Sequence, residues 1–432
     1  MAGSRYSLIQ KAFWAYLGPA YRGLDADLDA VETTLAAGGG SGGAPLYYVG
    51  PTGRDLRLWP GATANDKLRA AFTEIAGTNG SKPAVVIPPG TTIDVGSDPI
   101  LIPAGASLVG STLGVESEFG NACSVDVRAT GGTVNPATGG KPIFKTSPRG
   151  TNDNGAKGWS FRGIRFRGSG TEDLIAQNPQ DGSGSIVVYA TFDNVSVSEM
   201  NTVYWGPLLG FTWSGTTYLN SFGMGPILWC GGSDNQLFTD GAFLEMGTLK
   251  PYSTRAQWAS MIRCEYLKNT VFGPLYVTGS PTTPFRVDGG TGTHGLNFTD
   301  VVVEGRPDPG SGPDYLWCAG SLMRLTGGRT HWRGREWGWA MRDPAATTYA
   351  PTGFVTVTGG EHVIDGGTFT PFPAANYAGG TTPAFARVTG GILRVRNITA
   401  GGNVTAGTRP VVSTTNAAFV DADASVTVTV SP

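Results

Sequence analysis

The chain has 432 residues, a formal net charge of −2 and only 15% charged residues, so its overall charge does not predict binding to nucleic acid or to an anionic membrane. Its 66 glycines are about twice the usual share of ~7%, which indicates many turns around a substantial apolar core. The four cysteines are far apart and form no CxxC pair, which argues against a zinc cluster or a disulfide scaffold; we expect buried thiols, and no metal or cofactor.

Residues 1–37 are predicted to form a helical segment for docking and oligomerisation. Residues 6–18 are apolar on several sides, and a second helix carries four apolar residues at the heptad spacing of a coiled-coil seam: Leu24, Leu28, Val31 and Leu35. Less than two heptads cannot hold an oligomer alone. A Gly-rich linker follows at 38–46. The start has no signal-peptide pattern, and no apolar run is long enough to cross a membrane, so we expect a soluble chain.

Residues 47–111 are predicted to contain a capping helix and the first strands of the body. In "NDKLRAAFTEIAG", Asn65 is the expected N-cap and Gly77 the expected stop, and four residues form one apolar face: Leu68, Ala71, Phe72 and Ile75. The next stretch, "AVVIPPGTTIDVGSDPILIPAGASLVGS" at 84–111, has short β-branched runs separated by Pro and Gly. Each run predicts a strand in a different sheet, and each break predicts a corner.

One pattern recurs through residues 112–400: an apolar residue, any residue, then Asn, Asp or Gly, followed by alternating apolar positions. Its expected corner residues are Gly163, Asn194, Asn220, Asp240, Asn269, Asp300, Gly334, Asp365 and Asn397, at intervals of 31, 26, 20, 29, 31, 34, 31 and 32. A second marker, as in "MRLTGG" and "ARVTGG", keeps step with the first. Three short strands and three turns per unit fit this period and predict a right-handed parallel β-helix. Residues 401–432, ending in "SVTVTVSP", are predicted to be closing strands.

The segment 68–111, with "LRAAFTEIAG", "AVVIPPGTTIDV" and "PILIPAGASLVGS", resembles the start of pectate-lyase-like β-helices as found in bacteriophage tailspikes and minor tail proteins. The likeness is specific over about 45 residues and extends as a general coil pattern over the following 300 or so. It implies a homotrimer in the phage tail of the virion, an N-terminal segment that docks to other tail or baseplate proteins through residues 1–40, and a side surface that meets host envelope polysaccharide. The matched segment contains no catalytic motif.

Several Gly-Gly repeats carry arginine in the same slot, which predicts a basic ladder on one side of the body: Arg286, Arg324 and Arg387, with Thr356 in the fourth repeat and Arg263 as a fifth member. One interpretation is a strip for an acidic polysaccharide, because arginine makes bidentate contacts to carboxylate or phosphate. The other is a strip of salt bridges between subunits of a trimer.

Aromatic and basic residues alternate most densely in residues 327–344. We expect several tryptophans to lie outside, since Trp is too bulky for the interior of every coil, and there they can stack on sugars or fill a subunit contact. The candidate glycan-binding residues are Trp332, Trp337, Trp339, Arg329, Arg333 and Arg335. Nucleic acid would also suit such a cluster, but the docking-and-linker plan does not favour it.

Catalysis on a glycan would need two carboxylates about 5–9.5 Å apart. The candidates by position in neighbouring repeats are Glu265, Asp288, Glu336 and Glu361. Asp300 and Glu304 flank a corner, where a structural role is more typical. No acidic cluster has the spacing of a Ca²⁺ site, and His294, His331 and His362 are expected to be satisfied surface groups.

The sequence thus predicts a phage tail protein that contacts host glycans through a β-helix. The alternative is a polysaccharide depolymerase, a glycosidase or lyase, on the same scaffold; a further alternative is a purely architectural tail protein.

Overall fold

The computed structural model describes residues 53–431 with gaps. The described ranges are 53–77, 83–110, 123–135, 138–146, 156–176, 187–206, 208–215, 218–221, 228–231, 241–251, 262–265, 269–279, 285–287, 295–305, 323–339, 353–371, 382, 384–401 and 409–431. The predicted N-terminal helices, the seam of Leu24, Leu28, Val31 and Leu35, and the linker lie outside them. No helix in these ranges is long and apolar enough to cross a membrane.

Short strands and one α-helix make up the described chain. The helix α1 is Ala64–Gly77, and single 3-10 turns occupy Leu56–Leu58 and Ala417–Phe419. The first eighteen strands are β1 Gly53–Asp55, β2 Ala84–Ile87, β3 Thr91–Asp94, β4 Ile100–Ile102, β5 Ser107–Gly110, β6 Cys123–Arg128, β7 Lys141–Thr146, β8 Ala156–Lys157, β9 Ser160–Arg162, β10 Ile164–Arg167, β11 Glu172–Ala176, β12 Val187–Val188, β13 Thr191–Asp193, β14 Ser196–Met200, β15 Thr202–Gly206, β16 Leu208–Leu209, β17 Thr212–Ser214 and β18 Tyr218–Ser221. The others are β19 Leu228–Gly231, β20 Gly241–Pro251, β21 Ile262–Glu265, β22 Thr270–Gly279, β23 Phe285–Val287, β24 Leu296–Gly305, β25 Met323–Leu325, β26 Arg329–Trp339, β27 Val355–Val357, β28 Glu361–Asp365, β29 Thr368–Thr370, β30 Ala386–Val388, β31 Ile392–Arg396, β32 Thr399–Ala400, β33 Val411–Thr414, β34 Val420–Ala422 and β35 Thr427–Val430.

All described strand pairs are parallel, and they form a 20-stranded first sheet, a 12-stranded second sheet and a 3-stranded third sheet. Each strand pairs with a strand from the next repeat of the chain. In the first sheet, for example, Trp332 of β26 is opposite Ile364 of β28, and Ile364 is opposite Val395 of β31. The expectation of parallel sheets is therefore confirmed. In the opening stretch, β2 pairs with β5, with Val85 opposite Leu108 and Val86 opposite Val109.

Helix α1 packs its apolar face on the first strands, as predicted. Leu68, Ala71, Phe72 and Ile75 are all buried, and burial of such side chains typically contributes ~1.5–3 kcal/mol each for the larger ones. The predicted N-cap was wrong by two residues. Thr63 accepts a hydrogen bond from the Asp66 backbone N–H at 3.1 Å, and the Asp66 carboxylate accepts from the Thr63 N–H at 3.0 Å. This reciprocal pair satisfies free N–H groups of the first turn. The Thr63 hydroxyl also donates to the Asp66 carboxylate at 2.8 Å, and this bond, together with that from the Thr63 N–H, lowers the pKa of Asp66.

Aromatic rings stack along the interior of the first sheet. Phe298 lies between Phe272 and Trp332, with ring centroids 4.6 and 3.6 Å apart and the planes within 9° of parallel. Phe192 stacks on Trp213 with ring centroids 4.3 Å apart and an angle of 23° between the planes. Parallel pairing in register repeats one interior position in each strand, so flat rings can stack at a distance close to the ~4.7–4.9 Å strand spacing. The expectation that several tryptophans lie outside is therefore wrong for those whose side chains the structure describes. All of these are buried: Trp59, Trp159, Trp205, Trp213, Trp332 and Trp337.

The predicted corner residues occupy more than one corner of the repeat. Asn194, Asp300 and Asn397 adopt left-handed backbone with φ of 49–58°, as polar corner residues can. Asn269 is also left-handed, but it lies beside Gly295, which precedes β24, rather than at the corner of Asp300. Gly163 also has a positive φ, of 60°. Asp365 is the last residue of β28, and the positive φ occurs one residue later, at Gly366. Gly334 and Asn220 are not at corners, because they lie inside β26 and β18. Asp240 is outside the described residues.

Candidate functional site

The predicted arginines form one column across the second sheet. In the strand register, Arg263 of β21 is opposite Arg286 of β23, and Arg286 is opposite Arg324 of β25. Thr356 of β27 comes next, followed by Arg387 of β30. The backbone therefore places four arginines in five successive strands. These five residues form the arginine column.

The column faces outward where its strands alternate. In β25, Met323 and Leu325 are buried and Arg324 between them is exposed; in β30, Ala386 and Val388 enclose exposed Arg387 in the same way. The buried flanking positions explain why each short strand can offer only this one side chain to the surface.

The members of the column differ in their surroundings. Arg324 and Arg387 form no ion pair among the residues that the structure describes. Arg263 is half-buried, and the side chain of Arg286 lies outside the described part of the structure. The solvent-facing charge of the column is therefore established at Arg324 and Arg387, and the register places Arg286 and Arg263 at the same position of the two strands before them.

Arginines on the first sheet are arranged differently, because most have an acidic partner. Arg329 lies 3.5 Å from Glu361, and Arg335 lies 3.6 Å from Asp300. Asp421 serves both Arg394, at 3.7 Å, and Arg396, at 2.8 Å. These exposed pairs contribute only ~0–1 kcal/mol each, but they balance the charge on that face.

The predicted glycan-binding cluster in β26 separates into two groups. Arg329, Arg333 and Arg335 are exposed, while Trp332 and Trp337 are 0% and 1% exposed. The expectation that these two rings stack on a sugar was wrong, because they fill the core. Gly334 makes room for the ring of Trp337, since a Cβ atom at residue 334 would overlap that ring. The side chain of Trp339 lies outside the described part of the structure.

A buried polar chain links Trp332 to a histidine in the next repeat. The indole N–H of Trp332 donates to Thr330 Oγ1 at 2.6 Å, Thr330 Oγ1 is 2.8 Å from His362 Nδ1, and His362 Nε2 is 2.9 Å from the carbonyl of Gly359. A carbonyl can only accept, so Nε2 carries the proton, and Thr330 donates its hydroxyl hydrogen to the bare Nδ1. Burial lowers the pKa of His362 to about 4. The expectation of a surface histidine was wrong at this position.

A buried carboxylate, not recognised in the sequence, joins three repeats at the start of β11. Asp173 accepts from Thr138 Oγ1 at 2.5 Å and from Asn201 Nδ2 at 2.7 Å. Burial raises its pKa to about 6, although these hydrogen bonds oppose the shift. Neighbouring Glu172, also buried, accepts from the Ser169 backbone N–H at 2.7 Å. These hydrogen bonds satisfy polar groups that are buried in the core. The sequence "TEDLIA" has no periodic pattern from which the burial of this carboxylate could have been predicted.

The candidate catalytic carboxylates do not form a described pair. Glu361 is at the start of β28 and pairs with Arg329, whereas Glu336 is opposite Thr368 of β29. The length of β28, about 13 Å of extended chain, and a corner therefore separate their backbone positions, and the side chain of Glu336 is not described. Glu265 ends β21, and its side chain is not described. Asp288 lies outside the described residues.

No protein-family model and no curated protein matches the chain. Similar solved structures include ORF18 of Geobacillus virus E2, with 12% identity over 86% of this chain and 61% of that chain and a TM-score of 0.44. The enzymatically active domain of tailspike protein 4 of bacteriophage CBA120 has 12% identity over 88% and 44%, with a TM-score of 0.42. The A-module of Azotobacter vinelandii mannuronan C-5 epimerase AlgE6 has 11% identity over 88% and 100%, also with a TM-score of 0.42. The chain thus spans less than two thirds of the first two proteins, and likeness at this level carries no conclusion about function.

Proposed function

We propose that this chain is a bacteriophage tail protein, located in the virion, whose body is a right-handed parallel β-helix that contacts glycans of the host surface. The observation that carries the proposal is the arginine column, because a row of cations on the side of a stacked β body is suited to an extended ligand. The resemblance of residues 68–111 to tailspikes and minor tail proteins gives the setting, and the described part of that segment contains most of α1 and the strands β2 to β5.

The remaining parts of the proposal follow from the resemblance. Three copies assemble into a homotrimer, and residues 1–40 attach each copy to other tail or baseplate proteins. The Gly-rich segment 38–46 then acts as a hinge between the docking segment and the body. In this arrangement the side of the body, which carries the column, reaches the host envelope.

The proposal is tested by adsorption and by product analysis. The purified chain should bind envelope material of the host and should compete with phage particles for adsorption. If it binds no envelope material and does not affect adsorption, the glycan-contact role is wrong and an architectural tail role takes its place. Release of reducing ends or unsaturated sugars would instead establish the depolymerase alternative, and Glu265 would then be a candidate catalytic carboxylate.

A further inference from the structure

We propose that the arginine column binds a linear polyanion that lies along the stack of strands, namely a polysaccharide with a carboxylate or phosphate in each repeating unit. The inference rests on the proposed function and specifies the ligand class and the orientation of the ligand. It is carried by the register of the second sheet, by the exposed side chains of Arg324 and Arg387 and by the distribution of charge over the described strands.

The column has the geometry of a strip. Neighbouring strands are ~4.8 Å apart, so the five strands from β21 to β30 span about 19 Å. A small anion could contact only one or two guanidinium groups there. A polymer with regularly spaced anions could contact the exposed Arg324 and Arg387 together and follow the register toward Arg286 and Arg263. Each further contact would form at the high effective concentration set by the first.

Arginine is suited to this ligand class because its planar fork donates two parallel hydrogen bonds to a carboxylate or phosphate. Thr356 interrupts the cations with a hydroxyl group, and Ser413 of β33 continues the column after Arg387. Hydroxyl groups at these positions can donate to or accept from sugar hydroxyls between charged units. The strip therefore combines the two kinds of group that an acidic glycan presents.

The charge pattern points to a ligand from outside the described sheets. Arg263, Arg286 and Arg324 are the arginines with an arginine as register partner among the described strand pairs. Several arginines of the first sheet are instead opposite an acid, as Arg329 is opposite Glu361 and Arg333 is opposite Asp365. Like charges directly opposite each other destabilise a sheet, so a counter-charge bound at Arg324 would offset the repulsion that the register implies between Arg324 and Arg286.

A second copy of the chain is less well matched to the column. In the described registers no two acidic residues are opposite each other; Asp126, for example, faces Arg167, and Asp193 faces Arg162. The described strands therefore contain no acidic column that could lie against four arginines in a subunit interface. A polyanion brings such a row of charges in one molecule.

The test measures binding of the full-length chain to sodium polygalacturonate, inorganic polyphosphate and neutral dextran at several salt concentrations. One variant combines Arg324→Gln and Arg387→Gln. The matched control combines Arg329→Gln and Arg335→Gln, which removes the same charge from exposed, acid-paired arginines of the first sheet. Thermal melting and analytical ultracentrifugation confirm fold and oligomeric state for each.

We expect the wild type and the control to bind one or both polyanions, with dextran bound weakly or not at all. The column variant should lose roughly tenfold in affinity for each arginine removed. The plot of log K against log salt should become less steep by about 1.4, which is ~0.7 for each of the two arginines, the value for a single-stranded polyanion. Preference for polygalacturonate or polyphosphate distinguishes carboxylate from phosphate polymers.

Three results would overturn the inference. If host envelope glycan binds but neither salt nor the column variant changes its affinity, the ligand contacts another surface, while the proposed function survives. If the control weakens binding and the column variant does not, the first sheet is the binding face. If the column variant loses the oligomeric state of the wild type, the column belongs to a subunit interface. Failure to bind any envelope material would instead count against the proposed function itself.

Discussion

Replacing His362 with glutamine should abolish a pH-dependent loss of stability that the wild type shows between pH 6.5 and pH 4. The imidazole is fully buried and neutral, with both ring nitrogens hydrogen-bonded. Its folded pKa of about 4 lies below the unfolded value of ~6.5. The unfolded chain therefore takes up this proton first as the pH falls, and the stabilisation present above about pH 6.5 is lost progressively toward pH 4.

The expected size follows from the shift in pKa. A difference of about 2.5 pKa units at ~1.36 kcal/mol per unit gives roughly 3 kcal/mol. Protonated Nδ1 could no longer accept from Thr330, so the hydroxyl hydrogen of Thr330 would need another acceptor in a buried site. The His362→Gln variant has no titrating group at this position, and its free energy of unfolding should vary less with pH.

The measurement is urea unfolding of both proteins at pH 7, 5.5 and 4, with exchange of the Trp332 indole proton as a local probe. The free energy of unfolding of the wild type, minus that of the variant, should decrease by about 3 kcal/mol from pH 7 to pH 4. This difference removes the contribution of Asp173, which has the opposite sign. A difference that stays constant over this range would show that His362 is not buried in the neutral form.

Three further outcomes are expected. Asp173→Asn should raise the free energy of unfolding at pH 8 relative to the wild type, because the folded pKa of Asp173, about 6, exceeds the usual 3.8. In the wild type, the stability contributed by protonated Asp173 is fully present below about pH 3.8. It is lost, by up to about 3 kcal/mol, as the pH rises through 6. An advantage that is as large at pH 3.5 would contradict this, and denaturant titrations at both values check it. Gly334→Ala should cost about 1–3 kcal/mol, because the added Cβ would overlap the Trp337 ring; unchanged melting would refute the close contact. Arg324→Gln should stabilise the unliganded chain by up to ~1 kcal/mol in low salt and by almost nothing in ~1 M salt. Arg329→Gln should not stabilise the chain, because Arg329 is paired with Glu361. Melting curves of both variants at the two salt concentrations test this difference.

Local sequence signals predicted the elements of the fold more accurately than their exact partners. The apolar face of α1 was correct at all four positions because a 3.6-residue period is a property of the helix alone. Its cap was misassigned because Asn65 and Thr63 are both suitable cap residues, and only the hydrogen bonds to Asp66 distinguish them. The repeat was recognised, yet Asn269 was placed at the wrong corner, since every corner of a repeat favours the same few residues.

The sequence by itself determined that the chain consists of stacked β repeats and that arginine recurs at one position of them, because a parallel stack repeats each position at the sequence period. Only the tertiary structure decided which side chains face out. Trp332 and Arg333 are adjacent in sequence, but alternation along β26 directs the indole to a stacked interior and the guanidinium to solvent. The same alternation leaves Arg324 and Arg387 exposed between buried neighbours. Burial therefore removed Trp332 and Trp337 from the candidate glycan-binding residues, and it left the arginines of the second sheet, already a candidate from the sequence, as the remaining site.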